Sequence, residues 1–161
     1  MITDLSKINI ATKVLKKADF IWIIGNGGSA ALADHLACDL LKNAAKKALS
    51  LCSNNSLLLA IGNDYNFNVI FQKQLEVLFN FNNDVLICIS NSGESENLVT
   101  AAKHISEKGG TVISILGTIE DESGGYLRNY SSVPLIIGTE DQQECEDIFS
   151  EVCHKLYKSL L

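Results

Sequence analysis

Four side chains of this 161-residue sequence could transfer a proton or bind a metal, and they fall on two predicted helices. His35 and Asp39 are four residues apart, so they share one helical face. Glu146 and His154 are eight residues apart, about two turns along the last predicted helix and on similar faces. Paired histidines and carboxylates serve in general acid–base catalysis, and the same groups bind divalent metals. The residues alone leave both uses open, beside a purely structural one.

A glycine-rich turn directly precedes the first of these helices. The segment Gly25-Asn26-Gly27-Gly28-Ser29 follows an apolar run that ends at Ile24. Glycine allows a close approach of the backbone to a ligand and tolerates a positive φ. The amide groups at the start of the following helix attract an anion, and Ser29 can cap that helix. The turn therefore predicts a phosphate-binding element.

The same turn fits the loose dinucleotide pattern G-x-G-x-x-G/A, which suggests an alternative ligand. A nicotinamide-binding fold places an acidic residue near the end of the second strand, where it holds the ribose. Here that strand ends in Cys52-Ser53-Asn54-Asn55, without a carboxylate or an arginine. We therefore expect no nucleotide cofactor.

A second polar turn, Ser90-Asn91-Ser92-Gly93-Glu94-Ser95, lies between another apolar run and a predicted helix. Its hydroxyl and amide groups could surround the oxygens of a phosphate. A capped turn, in which Ser95 merely begins the helix, would use the same residues. The presence of two such turns favours the phosphate site over the capped turn.

The elements that must position these residues alternate between short apolar strands and helices. Strands are predicted at residues 20–24, 48–52, 85–90, 112–116 and 133–137. Helices are predicted at residues 4–17, 28–44, 54–60, 69–79, 95–108 and 141–160, with a polar turn at 62–66 and a loop or short helix at 121–129. This alternation predicts a single α/β domain over residues 1–161, with a parallel sheet covered on both faces. In such folds ligands bind beyond the carboxyl ends of the strands, where both polar turns fall.

Composition limits the class of protein. The net charge of -6 argues against a nucleic-acid-binding surface. The five scattered cysteines include no CxxC pair, which favours reduced thiols in the cytoplasm. Cys38, Cys145 and Cys153 adjoin the four polar helical residues but point elsewhere on their helices, which argues against a thiolate metal site. No signal-peptide pattern and no apolar run of membrane-spanning length is found, so we expect a cytoplasmic protein without a membrane partner.

Taken together, the motifs resemble the sugar isomerase (SIS) domain family, and most closely its bacterial phosphoheptose isomerases. The resemblance spans residues 20–158 and rests on an ordered series of motifs: Gly25-Asn26-Gly27-Gly28-Ser29-Ala30, Asp34-His35-Leu36-Ala37, Ala60-Ile61-Gly62-Asn63-Asp64-Tyr65, Phe71-Gln72-Lys73-Gln74, Ile89-Ser90-x-Ser92-Gly93-x-Ser95-x-Asn97 and His154. It implies a three-layer α/β/α sandwich with a five-stranded parallel sheet in the flavodoxin-like order 2-1-3-4-5. It also implies a homotetramer whose sites are shared between subunits.

The resemblance further implies a reaction. Phosphoheptose isomerases interconvert sedoheptulose 7-phosphate and D-glycero-D-manno-heptose 7-phosphate, which supplies heptose for lipopolysaccharide or capsule. A base removes the proton beside the carbonyl and an acid assists, through an enediol-type intermediate. By position, Asp39 corresponds to the family's base and His154 to its acid. Some members bind zinc through residues that match His35, Asp39, Glu146 and His154.

The family also suggests which residues contact the sugar phosphate. The phosphate would be held by Ser29 with Ser90, Asn91, Ser92 and Ser95, and by the amides of Gly27 and Gly28. Asn26 and Asp64 would hold sugar hydroxyls, and Glu146 also lies among the substrate-binding positions.

Three residues depart from the family pattern. Asp39 replaces a glutamate, so its carboxylate arm is one methylene shorter. Glu146 replaces a glutamine and adds a negative charge, and Asn91 replaces a threonine. An alternative to the enzyme is a non-catalytic phosphosugar-binding SIS protein with a regulatory or replication-initiator-binding role. Such relatives lose the base carboxylate, whereas this chain keeps a carboxylate and the histidine.

Overall fold

A five-stranded parallel sheet with helices on both faces forms the fold in the computed structural model, which describes residues 5–117, 124–137, 139 and 141–161. The strands are Ile21–Gly25 (β1), Ala48–Ser50 (β2), Val85–Ser90 (β3), Thr111–Gly117 (β4) and Val133–Ile137 (β5). The helices are Leu5–Lys17 (α1), Gly28–Lys42 (α2), Asn55–Asp64 (α3), Gln72–Leu78 (α4), Glu96–Glu107 (α5) and Gln142–Lys158 (α6), with short 3-10 helices at Phe67–Val69 and Tyr126–Tyr130. The predicted α/β/α sandwich is confirmed.

The strand order is β2-β1-β3-β4-β5, as the family resemblance implies. The chain passes from β1 to β2 on one side and returns to β3 on the other, so the strand order reverses between β1 and β3. These two strands are paired in register from Ile21 with Val85 to Gly25 with Ile89. Their carboxyl ends therefore lie side by side at the reversal point, where ligands of open α/β sheets bind.

Alternate residues of the strands face opposite layers, which produces two apolar cores. Ile21 and Ile23 pack with α1, α2 and α6, whereas Trp22 and Ile24 pack with the layer that contains α4 and α5. β1, β3 and nearly all of β4 are buried along their length, as expected for parallel strands covered on both faces. This packing places α2 and α6 side by side in one layer, where they contact each other.

Two predictions in the region after β2 are wrong in detail. The turn predicted at 62–66 starts later, because α3 continues through Gly62 to Asp64 and closes with a hydrogen bond from the Tyr65 amide to the Ile61 carbonyl. A glycine inside a helix costs only about 1 kcal/mol relative to alanine, so it does not end this one. The helix predicted at 69–79 is split into a 3-10 turn and α4, since the Asn66 side chain accepts a hydrogen bond from the Asn68 amide and begins the 3-10 turn.

Two further elements are shorter than expected. β2 ends at Ser50 rather than at residue 52, because the Ser50 hydroxyl accepts a hydrogen bond from the Cys52 amide and turns the chain. The short helix allowed at 121–129 is a 3-10 helix at Tyr126–Tyr130, and residues 121–123 lie outside the described residues. Within the described part of the chain, none of the helices combines the length and apolarity needed to span a membrane.

Candidate active site

A cavity of about 340 Å³ opens at the carboxyl ends of β1 and β3. It is lined by Asn26, Gly27, Gly28, Ser29, Ile89, Ser90, Asn91, Ser92, Ser95, Leu98, Gln142 and Glu146. Nine of these residues are among the ten predicted to contact the sugar phosphate. Both polar turns thus form walls of one cavity, because the strands that precede them are neighbours in the sheet.

The first wall is the start of α2. Gly27 occupies the N-cap position with φ of 54°, a conformation that favours glycine, and offers no side chain to cap the helix. Among the described residues, α2 has no side-chain cap, whereas Asn54 and Asp141 cap α3 and α6. The uncapped amides of the first turn face the cavity and leave α2 able to bind an anion.

The second wall is the serine turn at the end of β3. The Ser90 hydroxyl accepts a hydrogen bond from the Gly93 amide at 3.0 Å, and the Ser92 hydroxyl accepts one from the Glu94 amide at 3.2 Å. Ser95 occupies the N-cap position of α5, but its hydroxyl makes no capping hydrogen bond within the described structure. The capped-turn interpretation therefore explains the position of Ser95 at the start of α5. The hydroxyl of Ser95 is not used in capping and stays available to a ligand.

Among the described residues that line the cavity, Glu146 is the charged one. A Cβ atom placed on Gly28 would lie 3.1 Å from each carboxylate oxygen of Glu146, so Glu146 lies close to the start of α2. Gln142, one turn earlier on α6, donates a long hydrogen bond of 3.5 Å to Glu146 Oε1. Since the described part of the cavity lining includes no lysine or arginine, a phosphate there would be bound by amide and hydroxyl groups.

A cluster of two imidazoles and a carboxylate lies beside the cavity. His35 Nε2 is 3.2 Å from His154 Nε2 and 3.3 Å from Asp39 Oδ2. His154 Nε2 is 3.9 Å from the same Asp39 oxygen. The Asp39 side chain is 14% exposed, while the two imidazoles are half exposed. A carboxylate shielded from water thus faces two accessible nitrogen atoms.

The cavity and the cluster are connected by two helices that run side by side. Near the start of α2, Gly28 is next to Glu146 of α6; farther along, His35 is next to His154. At 1.5 Å per residue, the seven residues from Gly28 to His35 advance about 10 Å along α2. A ligand with an anion at one end and a reactive group several carbons away could therefore contact both.

Comparison with known proteins identifies the family. The SIS domain family matches residues 5–117 of the chain. The chain belongs to the SIS domain family. Its relatives include the phosphoheptose isomerase of Clostridium acetobutylicum, 38% identical over 154 residues that cover 92% of this chain and 76% of the relative. It therefore groups with the phosphoheptose isomerases.

Solved structures agree with this assignment. The phosphoheptose isomerase GmhA from Neisseria gonorrhoeae superposes with a TM-score of 0.88 and 29% identity, over 97% of this chain and 85% of that one. A phosphoheptose isomerase from Francisella tularensis superposes with a TM-score of 0.89 and 26% identity, over 98% and 86% of the two chains.

Not every predicted site residue of this SIS domain reaches the cavity or the cluster. Asp64 lies at the exposed end of α3, where its Oδ1 accepts a hydrogen bond from Asn63, and it is absent from the cavity lining. Of the four predicted metal ligands, His35, Asp39 and His154 bring donor atoms within 4.8 Å of one another among the described residues. Glu146 lies outside that group, against Gly28.

The cysteines that adjoin the cluster of two imidazoles and a carboxylate in the sequence are not part of it. Cys145 and Cys153 belong to the apolar core, and Cys38 is exposed. Burial, with a smaller contribution from the Asp39 charge, raises the pKa of the Cys153 thiol to about 12. Burial likewise raises the pKa of Cys145 to about 11. Both groups are therefore neutral thiols near pH 7, and neither is a ready metal ligand.

Two polar residues were missed in the sequence: Gln142 in the cavity lining, and Asn97, which contacts Asn26 of that lining. Asn97, on the first turn of α5, is buried and exchanges side-chain hydrogen bonds with Asn26. Its place at the end of the Ile89–Asn97 motif was a usable signal. Gln142 carried no signal except its position four residues before Glu146.

Proposed function

We propose that this SIS domain protein is a phosphoheptose isomerase that interconverts sedoheptulose 7-phosphate and D-glycero-D-manno-heptose 7-phosphate. The observation that carries the proposal is the meeting of Asp39 with His35 and His154, about 10 Å along α2 from the cavity at the glycine and serine turns. The cavity has the donors for a phosphate, and the cluster has a carboxylate and imidazoles for proton transfer. The product would supply heptose for lipopolysaccharide or capsule.

The proposed binding mode follows from the lining of the cavity. The phosphate accepts hydrogen bonds from the first-turn amides of α2 and from the hydroxyls of the serine turn, with Ser29 between them. Asn26 and Glu146 line the same cavity and would contact sugar hydroxyls. With its phosphate fixed there, an extended seven-carbon sugar directs its carbonyl end along α2 toward Asp39.

The proposed reaction moves two protons and leaves the protonation states of the enzyme unchanged. Starting from the ketose, Asp39 takes a proton from C1 while His154 donates one to the C2 carbonyl oxygen, which forms an enediol. Asp39 then returns its proton to C2 while His154 accepts the proton of the C1 hydroxyl, which forms the aldehyde. Both residues end in their starting protonation states.

A zinc ion fits the donor set of the cluster. Two imidazole nitrogens and one carboxylate oxygen form a common three-ligand set of catalytic zinc sites. We propose that His35, Asp39 and His154 would hold the ion in a zinc-bound form, whereas Glu146 lies against Gly28, about two turns of α6 away from His154. Zinc would occupy the atoms that transfer protons in the metal-free reaction, so the two are alternative uses of the cluster. Bound zinc would supply Lewis-acid polarisation of sugar oxygens.

We further propose that the chain acts as a homo-oligomer, a homotetramer by resemblance, in the cytoplasm. A second, mostly apolar groove of about 450 Å³ lies on the other side of the glycine turn, between α3 and the 3-10 turn. Nearby, Leu59, Tyr65 and Phe67 are more than half exposed, which is unfavourable unless another surface covers them. An assembly with shared sites would also allow Asp64 to contact a sugar bound to another subunit. Light scattering coupled to gel filtration tests this proposal, and a monomer at micromolar concentration would contradict it.

The decisive experiment incubates the purified protein with sedoheptulose 7-phosphate, with and without added Zn²⁺, and follows the aldose by NMR. Asp39→Asn should lower turnover at least about a hundredfold while phosphosugar binding persists, because the amide cannot accept the proton. Asp34→Asn is the matched control, since it makes the same change on the same helix outside the cluster. Binding without turnover in the unmodified protein, with or without zinc, would instead favour the non-catalytic alternative.

A further inference from the structure

The two oxygens of the Asp39 carboxylate have different partners. Oδ2 faces the cluster, 3.3 Å from His35 Nε2 and 3.9 Å from His154 Nε2. Oδ1 accepts a hydrogen bond of 3.0 Å from the side-chain amide of Asn43. One oxygen is therefore occupied by a neutral donor, and the other is presented to the imidazoles.

Asn43 is held in place by the end of α2. It follows the last residue of the helix, and its backbone amide donates to the Asp39 carbonyl at 2.9 Å. The chain turns away immediately afterwards, with Ala45 at φ of 50° and the Lys46 amide bonded to the Leu40 carbonyl. Asn43 thus contacts residue 39 through both its main chain and its side chain.

We propose that Asn43 is a positioning residue that holds the Asp39 carboxylate with Oδ2 toward the cluster. This inference rests on the proposed function, in which Asp39 is the base. An aspartate side chain has a single methylene, so the reach of its carboxylate is short and its orientation matters. The hydrogen bond from Asn43 limits rotation about the Cβ–Cγ bond and keeps one oxygen pointed at the substrate side.

The expected effect is confined to the chemical step. Asn43 does not line the phosphate cavity, so substrate affinity should not depend on it. A misplacement of a reacting group by about 1 Å can cost about a hundredfold in rate. Because loss of one hydrogen bond loosens the carboxylate without removing it, we expect Asn43→Ala to lower kcat about tenfold with KM changed less than twofold.

A conservative variant separates positioning from general damage. Asn43→Gln retains an amide four residues after Asp39, a spacing at which glutamine and aspartate side chains hydrogen-bond on a helix. It should recover most of the lost kcat. Lys42→Ala, an exposed change one residue away, should leave kcat and KM unchanged. Equal kcat for Asn43→Ala and the unmodified protein, or a loss that Asn43→Gln does not restore, would overturn the inference.

Crystal structures of the unmodified protein and of Asn43→Ala test the same inference without turnover. If Asn43 positions the carboxylate, Asp39 should have one conformer in the unmodified protein. In Asn43→Ala its carboxylate should be rotated or should occupy two conformers. An identical Asp39 conformer in both would overturn it. Because these structures do not require activity, an inactive unmodified protein would refute the proposed function and still leave this geometric result decisive.

Discussion

Asn26 and Asn97 exchange two hydrogen bonds between their side-chain amides, each with a donor–acceptor distance of 2.9 Å. Asn26 belongs to the glycine turn after β1, and Asn97 lies on the first turn of α5, 71 positions later. The pair therefore connects the glycine turn to the start of α5, directly after the serine turn. Asn97 is 2% exposed, so the connection is made mostly out of contact with water.

Replacing Asn97 should lower the stability of the protein and weaken binding of the phosphosugar in the cavity. Asn97→Ala leaves the Asn26 amide without its partner, and an unsatisfied, partly buried polar group costs about 1–3 kcal/mol. We expect a lower urea midpoint and a KM for the phosphosugar raised about tenfold, measured by denaturation and by initial rates. Gln72→Ala, which removes an exposed amide–carboxylate hydrogen bond on α4, is the control and should change neither. A double-mutant cycle with Asn26→Ala should give a coupling energy above about 0.5 kcal/mol, and simple additivity would contradict the pairing.

The serine turn also depends on a close contact with the segment that precedes the second 3-10 helix. Gly93 has φ of 67°, and a Cβ atom there would collide with the Gly124 carbonyl oxygen. Gly93→Ala should therefore combine the left-handed backbone penalty of about 1–2 kcal/mol with an overpacking cost of about 1–3 kcal/mol.

Gly109→Ala is the matched control for this prediction. Gly109 has φ of 81°, but no atom lies within 4 Å of the added Cβ position. Gly109→Ala should lower the free energy of unfolding only by the backbone penalty, so Gly93→Ala should unfold at a distinctly lower urea concentration than Gly109→Ala. Equal losses for the two variants would show that the Gly124 contact does not constrain the turn.

His104 should make stability depend on pH. Its Nε2 atom is buried and has no hydrogen-bond partner among the described residues. Burial, followed by the charge of Lys108, lowers the pKa of His104 below its ordinary value. As pH falls below the unfolded value of about 6.5, the unfolded chain takes up a proton before the folded chain does, so stability is lost toward lower pH.

The measurement is the melting temperature between about pH 7 and pH 5. His104→Gln should reduce the decline in this range, because glutamine does not titrate. Lys103→Gln, an exposed change on the neighbouring position of α5, should retain the decline, since lysine stays charged throughout. An unchanged slope in His104→Gln would assign the pH dependence to other groups.

Local sequence was sufficient for the sheet and for the two turns that line the cavity. Apolar runs such as residues 85–90 identified the buried strands, and glycine and serine turns at their ends identified the cavity walls. Parallel strands bring their carboxyl ends to one edge, so neighbouring turns meet there without any knowledge of side-chain packing. The errors, such as the early end assigned to α3, occurred where backbone hydrogen bonds near a chain reversal decide the boundary.

The sequence by itself determined that Asp39 shares a helical face with His35, because four residues make about one turn. Only the tertiary structure decided that His154 joins them, 119 positions after His35, and that Glu146 lies against Gly28 instead. These contacts depend on how α2 and α6 pack through Leu36, Leu40 and Phe149 in the core. Local patterns specify which face of a helix is polar, whereas the close packing of two buried faces specifies which polar residues meet.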